Sequence, residues 1–104
     1  MKQPLRGEVW IVDLGYNAKT RPCLILSVSP LDLDRALATL VLHTTQVRGT
    51  RFEVAIPARF LRPGAFDAQD IQTVALAKVE RKLGSLTENQ LKEVEDAVLD
   101  WLGL

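Results

Sequence analysis

The chain has 104 residues, 47% hydrophobic and 25% charged, with a formal net charge of zero. That is enough apolar material for one self-supporting core and too little length for two ordinary domains, so 1–104 reads as a single domain. A lone cysteine and a lone histidine exclude an internal disulfide and a structural zinc site.

No run reaches the roughly 18 apolar residues of a membrane span. The N-terminus has neither an apolar signal region nor a cleavage site, so a reducing cytoplasm is the expected compartment. Taken in chain order, Glu8 to Asp13 reads as a strand rich in Val, Ile and Trp. Gly15 to Thr20 is polar and reads as a loop. Arg21 to Val28 follows as a second strand, apolar on both faces and therefore central. Its first residue precedes Pro22, and a residue before proline is pushed out of the helical region into extended backbone. The Arg21 guanidinium is thus partly pre-set, and its planar fork of donors suits a phosphate. The same pattern also fits an arginine that only caps a strand mouth.

Ser29-Pro30 breaks the second strand, and Asp32 to Asp34 suggests an irregular turn. Ala38 to Thr44 is a third buried strand. In it His43 is out of phase with Leu42 and Thr44, which suits a core-lining residue. Val47 to Thr50 reads as a loop, and Phe52 to Ile56 alternates with Glu53 outward. Pro57 to Pro63 is a connector, with a helical turn expected at Ala58 to Leu61. Ala65 to Val74 is a strand of mixed polarity, and Lys78 to Leu83 a short charged strand or turn. The C-terminus predicts a helix. Thr87 and Gln90 have capping-box spacing; Leu91, Val94, Val98, Trp101 and Leu102 recur at helical spacing; Gly103 stops the helix.

The zero net charge hides an asymmetry. Residues 1–86 hold 12 Lys/Arg against 8 Asp/Glu, whereas residues 87–104 hold one Lys against five Asp/Glu. Bulk electrostatics would not hold a nucleic acid here, so any such binding must be local. Lys19, Arg21, Arg48 and Arg51 are the candidate cations.

The order of several short motifs resembles the MazF/PemK family of toxin endoribonucleases over about Arg6 to Leu104. They are Arg6-Gly7-Glu8-Val9-Trp10, Arg21-Pro22, His43-Thr44-Thr45, Phe52-Glu53-Val54, Ile71-Gln72-Thr73-Val74 and Arg81-Lys82-Leu83-Gly84-Ser85-Leu86. The resemblance implies a mainly β fold: a small SH3-like antiparallel barrel with a C-terminal helix, present as a homodimer. It also implies a toxin that cuts single-stranded RNA without metal or cofactor and is held by an acidic cognate antitoxin. RNA supplies its own nucleophile, the ribose 2′-OH, so the protein needs only to orient the attack, stabilise charge and move protons. By resemblance, Arg21 stabilises the phosphorane and protonates the leaving 5′-oxygen, and Thr44 donates to a phosphate oxygen. Lys19, Thr45, Arg48 and Arg51 are the expected substrate contacts.

The chain departs from the family on the later strand. Gln69 stands where many members have an acid, with Asp67 and Asp70 nearby. By strand alternation Asp67 and Gln69 share one face and Asp70 takes the other. Asp67 is therefore the expected substitute base, with Gln69 orienting the 2′-OH as the alternative. Another function also fits the same fold: a CcdB-like toxin that binds DNA gyrase through a C-terminal aromatic tail, here Trp101, or an inactive binding module.

Overall fold

The computed structural model describes residues 3–15 and 19–104. Six strands and one helix follow in order: β1 (Glu8–Asp13), β2 (Thr20–Ile25), β3 (Leu37–Thr44), β4 (Glu53–Val54), β5 (Ala65–Ala75), β6 (Val79–Ser85) and α1 (Glu88–Leu102). They form one sheet in the order β4-β5-β3-β2-β1-β6, with every described pairing antiparallel. The strands β4 and β6 end the sheet without pairing to each other, so among the described residues it is open. The expected mainly antiparallel fold with a C-terminal helix holds, but the barrel does not close.

The central strands bury both faces, as their uninterrupted apolar runs require. One face of β1, β2 and β3 supplies Val9, Leu24 and Val41 to a core with Phe66, Ala68, Val94 and Val98. The other supplies Trp10, Val12, Cys23, Ile25, Leu40 and Leu42 to a second cluster with Val79. Helix α1 begins at a capping box: Thr87 Oγ1 accepts from Gln90 N at 3.2 Å, and Gln90 Oε1 accepts from Thr87 N at 2.9 Å. It buries Val94, Ala97 and Val98, and it ends at Gly103 in the left-handed region.

The expected strand Phe52 to Ile56 shrinks to the two residues of β4, although Phe52 and Ile56 are buried as the alternation required. Ala58 to Leu61 forms a single turn, as expected, closed by Leu61 N to Ala58 O at 3.1 Å. Residues 76–78 form a 3₁₀ turn between β5 and β6. The expected loop Gly15 to Thr20 lies partly outside the described residues.

Candidate active site

Pro22 explains where the sheet opens. β2 pairs with β3 only over Cys23–Leu42, Leu24–Val41 and Ile25–Leu40. Continued by two residues, that register would set Pro22 against His43 and Arg21 against Thr44. Proline has no N–H to give to a ladder, and the pairing stops one residue before it. On its other side β2 stays paired: Arg21 with Val12 and Pro22 with Ile11. Arg21 is therefore held in extended backbone on one side and faces a gap on the other.

Two clefts meet at this gap. The smaller, of about 260 Å³, is lined by Arg21, Leu42, Thr44, Gln46, Arg48, Glu53, Asp67 and Asp70. The larger, of about 670 Å³, holds Lys19, Arg21, His43, Thr45, Phe60, Arg62 and Arg81 among its walls. Thr44 faces one cleft, while His43 and Thr45 face the other. Adjacent strand residues point to opposite faces, so the clefts lie on either side of β3 and share Arg21.

In the smaller cleft, Thr44 Oγ1 accepts Gln46 N–H at 3.0 Å. That bond occupies a lone pair and leaves the hydroxyl proton to donate elsewhere. Asp67 Oδ1 accepts Gln69 N–H at 3.0 Å. Asp70 Oδ1 accepts from Gln72 Nε2 at 3.2 Å. Cys23 lies beneath, fully buried, with its Sγ 3.5 Å from the Arg21 carbonyl oxygen. Burial first, then the charge of Asp70, pushes its thiol up to about 12, against a smaller opposing effect of Arg21. The buried thiol stays protonated, and Asp70 and Arg21 both line the cleft above it.

Alternation along β5 fails between Ala68 and Ile71. Pairing runs Thr44–Ala65 and His43–Phe66, then resumes at Val41–Ile71. Residues 67–70 oppose the single Leu42, a bulge of three extra residues. An odd insertion reverses the phase of the strand. Phe66, Ala68 and Ile71 accordingly all pack on the helix-side core, at spacings of two and then three. Asp67 and Asp70 thus share the cleft, and the exposed Gln69 lines neither cleft. The expected face-sharing of Asp67 with Gln69, and the placing of Asp70 on the opposite face, are corrected by this bulge.

The expected substrate contacts divide. Arg48 lines the smaller cleft, and Lys19 and Thr45 the larger. Arg51 lines neither; its guanidinium sits 4.5 Å from the Phe52 ring centroid. Arg62, Arg81 and Phe60 were missed because they come from the β4–β5 connection and from β6, far from Arg21 in sequence. Only their charge and aromatic character could have flagged them. Gly64 permits the close fit of this connection on β3, since a Cβ there would stand 2.1 Å from the Thr44 carbonyl oxygen. His43 is 4% exposed, meets Phe66 edge to face at 5.0 Å, and has no hydrogen-bond partner at Nε2 among the described residues. Burial holds it below the ordinary histidine range, so the ring is neutral at pH 7.

Trp101 packs edge to face on Phe52, with ring centroids 5.4 Å apart. Its ring belongs in part to the seam between α1 and the β4 segment, which argues against a free aromatic tail.

Comparison with known proteins agrees with this geometry. The profile of the PemK-like, MazF-like toxins of type II toxin–antitoxin systems matches residues 5–102. Endoribonuclease MazF4 of Mycobacterium tuberculosis is 33% identical over 104 residues, spanning all of this chain and 97% of its own. Among solved structures, a mycobacterial endoribonuclease in complex with its cognate antitoxin superposes with a TM-score of 0.83 at 31% identity, over 97% of this chain and 96% of that one. MazF of Deinococcus radiodurans shares the fold, with a TM-score of 0.86 at 21% identity over the whole of both chains.

Proposed function

We infer the chemistry of the cleft from one premise: the chain belongs to the PemK-like, MazF-like toxin family. It is an endoribonuclease toxin of a type II toxin–antitoxin system, and the gyrase-binding alternative is not favoured. Its substrate is single-stranded RNA. The scissile phosphate lies between Arg21 and Thr44, the two residues that the interrupted ladder leaves facing each other. Their convergence with Asp67 on one cleft is the observation that carries this reading.

In the reaction the 2′-oxygen attacks phosphorus and the bond to the 5′-oxygen breaks. The Asp67 carboxylate takes the 2′-OH proton. The Arg21 guanidinium and the Thr44 hydroxyl donate to the phosphoryl oxygens as charge builds, and Arg21 delivers a proton to the departing 5′-oxygen, recovering one from water as Asp67 releases the proton it took. The products carry a 2′,3′-cyclic phosphate and a 5′-hydroxyl. The nucleophile comes from the substrate, so the scheme routes no step through a metal ion. The strand continues from Arg21 into the larger cleft, where Lys19, Arg62 and Arg81 meet phosphates and Phe60 offers a face to a base. An acidic segment of a cognate antitoxin covers the same cations.

Arg21→Ala tests the site. The residue is exposed, so the variant is expected to melt like the wild type. Loss of a preorganised donor to a developing oxyanion costs about 10²–10³ in rate. Wild-type-like cleavage by Arg21→Ala on a mixed RNA substrate overturns the site. Arrest of the wild-type reaction by EDTA overturns the proton-transfer scheme even if the activity is real.

A further inference from the structure

The residues joining β3 to β4 have little packing to hold them: positions 45–51 are all exposed. One side chain organises the end of this segment. Glu53 Oε2 accepts Arg48 N–H at 2.9 Å, and Oε1 accepts Thr50 N–H at 2.6 Å. Gly49, between these two donors, has φ +82°, a turn that favours glycine. Backbone N–H groups curled around one anion make an anion receptor, here filled by the chain's own carboxylate. The N–H groups of Arg48, then of Thr50, hold the Glu53 carboxyl below its usual range, so it stays ionised and the receptor stays filled.

This carboxylate sits at an awkward place for a nucleic-acid site. Glu53 pairs directly with Asp67 across β4 and β5, and both line the cleft with Arg21 and Thr44. Two acids facing each other beside a phosphate would repel the phosphate and one another. The loop changes that balance: the donors absorb the Glu53 charge, and the turn they form carries Arg48 to the cleft wall. We propose that Glu53 is a positioning residue, which clamps residues 48–50 so that the Arg48 guanidinium meets a substrate phosphate beside Arg21. This rests on the cleft being the RNA site.

The proposal predicts a sign opposite to simple electrostatics. Removal of a negative charge from a polyanion site ordinarily strengthens binding. With the clamp, Glu53→Ala weakens it several-fold, because Arg48 loses its hold. The probe is a 2′-O-methyl single-stranded RNA, which lacks the nucleophile and stays intact, bound to the full chain across a range of salt. Glu53→Ala and Arg48→Ala should each weaken binding and each lower the slope of log K against log salt by about 0.7, the value for one lost phosphate contact on a single strand. The double variant should lose no more than either single one, as expected for residues acting as a unit. Glu53→Gln, which keeps one acceptor oxygen, should fall between. A Glu53→Ala variant that melts like wild type but binds as tightly or more tightly overturns the clamp, as do additive losses in the double variant. If the wild type cleaves RNA while Glu53→Ala binds unchanged, the clamp alone fails. If the wild type neither binds nor cleaves RNA, the reading of the cleft fails and the clamp with it.

Discussion

At the scale of single residues, the chemistry turns on which carboxylate reaches the 2′-OH. Asp67 and Asp70 line the cleft, and Gln69 contributes only its backbone N–H to Asp67. Asp67→Asn should therefore lower the cleavage rate by about 10²–10⁴, the usual worth of a positioned general base, while RNA affinity holds or rises, since a negative charge beside the phosphate is removed. Gln69→Ala should stay within a few-fold of wild type, since its N–H survives the change. Single-turnover rates at saturating enzyme read both. An Asp70→Asn loss larger than that of Asp67→Asn would move the base to Asp70. Arg21 was singled out in the sequence by its place before Pro22 and by the family resemblance, and Thr44 by the resemblance alone; the fold brings both to one cleft. The Asp70 position was not legible. The bulge of residues 67–70 is a relation between β5 and β3, and local alternation carries no trace of an odd insertion.

At the scale of elements, the signals of the helix ends proved reliable, whereas strand extent and strand pairing were set by partners distant in sequence. The capping box and the stop at Gly103 depend on residues within a few positions of one another and stand as read; of the apolar stripe Val94 and Val98 are buried with Ala97, while Trp101 and Leu102 stay exposed. Thr87→Ala removes the bond to Gln90 N and should cost about 1 kcal/mol, or roughly 5 °C in melting temperature for a domain of this size, without changing the cleft. The β1–β6 seam was hidden from sequence, because its strands are about seventy positions apart. It is held partly by Glu8, which accepts from Lys82 Nζ at 2.8 Å and from the Leu5 and Trp10 N–H groups. Partial burial works to raise the Glu8 pKa, but these donors outweigh it and hold the carboxyl below its usual range. A depressed carboxylate stabilises the fold above the unfolded value, near 4.3, and the contribution is lost as pH falls through the folded value. Glu8→Gln should thus be less stable than wild type at pH 7. The gap, read by urea unfolding, should close as pH falls below the ordinary carboxylate range, and a gap that stays constant with pH would remove the charge from the explanation.

At the scale of the whole molecule, the uneven charge and the open sheet matter together. The acidic residues 87–104 lie mainly on α1, which packs against β4 and β5, while Arg21, Lys19, Arg62 and Arg81 gather where β2 leaves the ladder. The basic site is therefore concentrated rather than spread, in keeping with zero net charge. The monomer also leaves apolar side chains in water. Val28, Leu31 and Leu33, in the connection from β2 to β3, are 76%, 78% and 101% exposed, and Leu102 and Leu104 are exposed at the other terminus. Scattered exposed apolar residues are ordinary, but three within six positions of one loop, on a chain of 11.6 kDa, favour burial against a second copy. Two-fold pairing is the commonest way to achieve it. Sedimentation at micromolar concentration should give about twice the chain mass of 11.6 kDa, and Leu31→Asp with Leu33→Asp should shift the equilibrium toward monomer if this loop lies in the interface. Both positions are exposed in the single chain, so the substitutions should leave its melting nearly unchanged apart from the lost association. A wild type that sediments as a monomer at that concentration refutes the dimer. A dimer indifferent to both substitutions places the interface elsewhere on the surface.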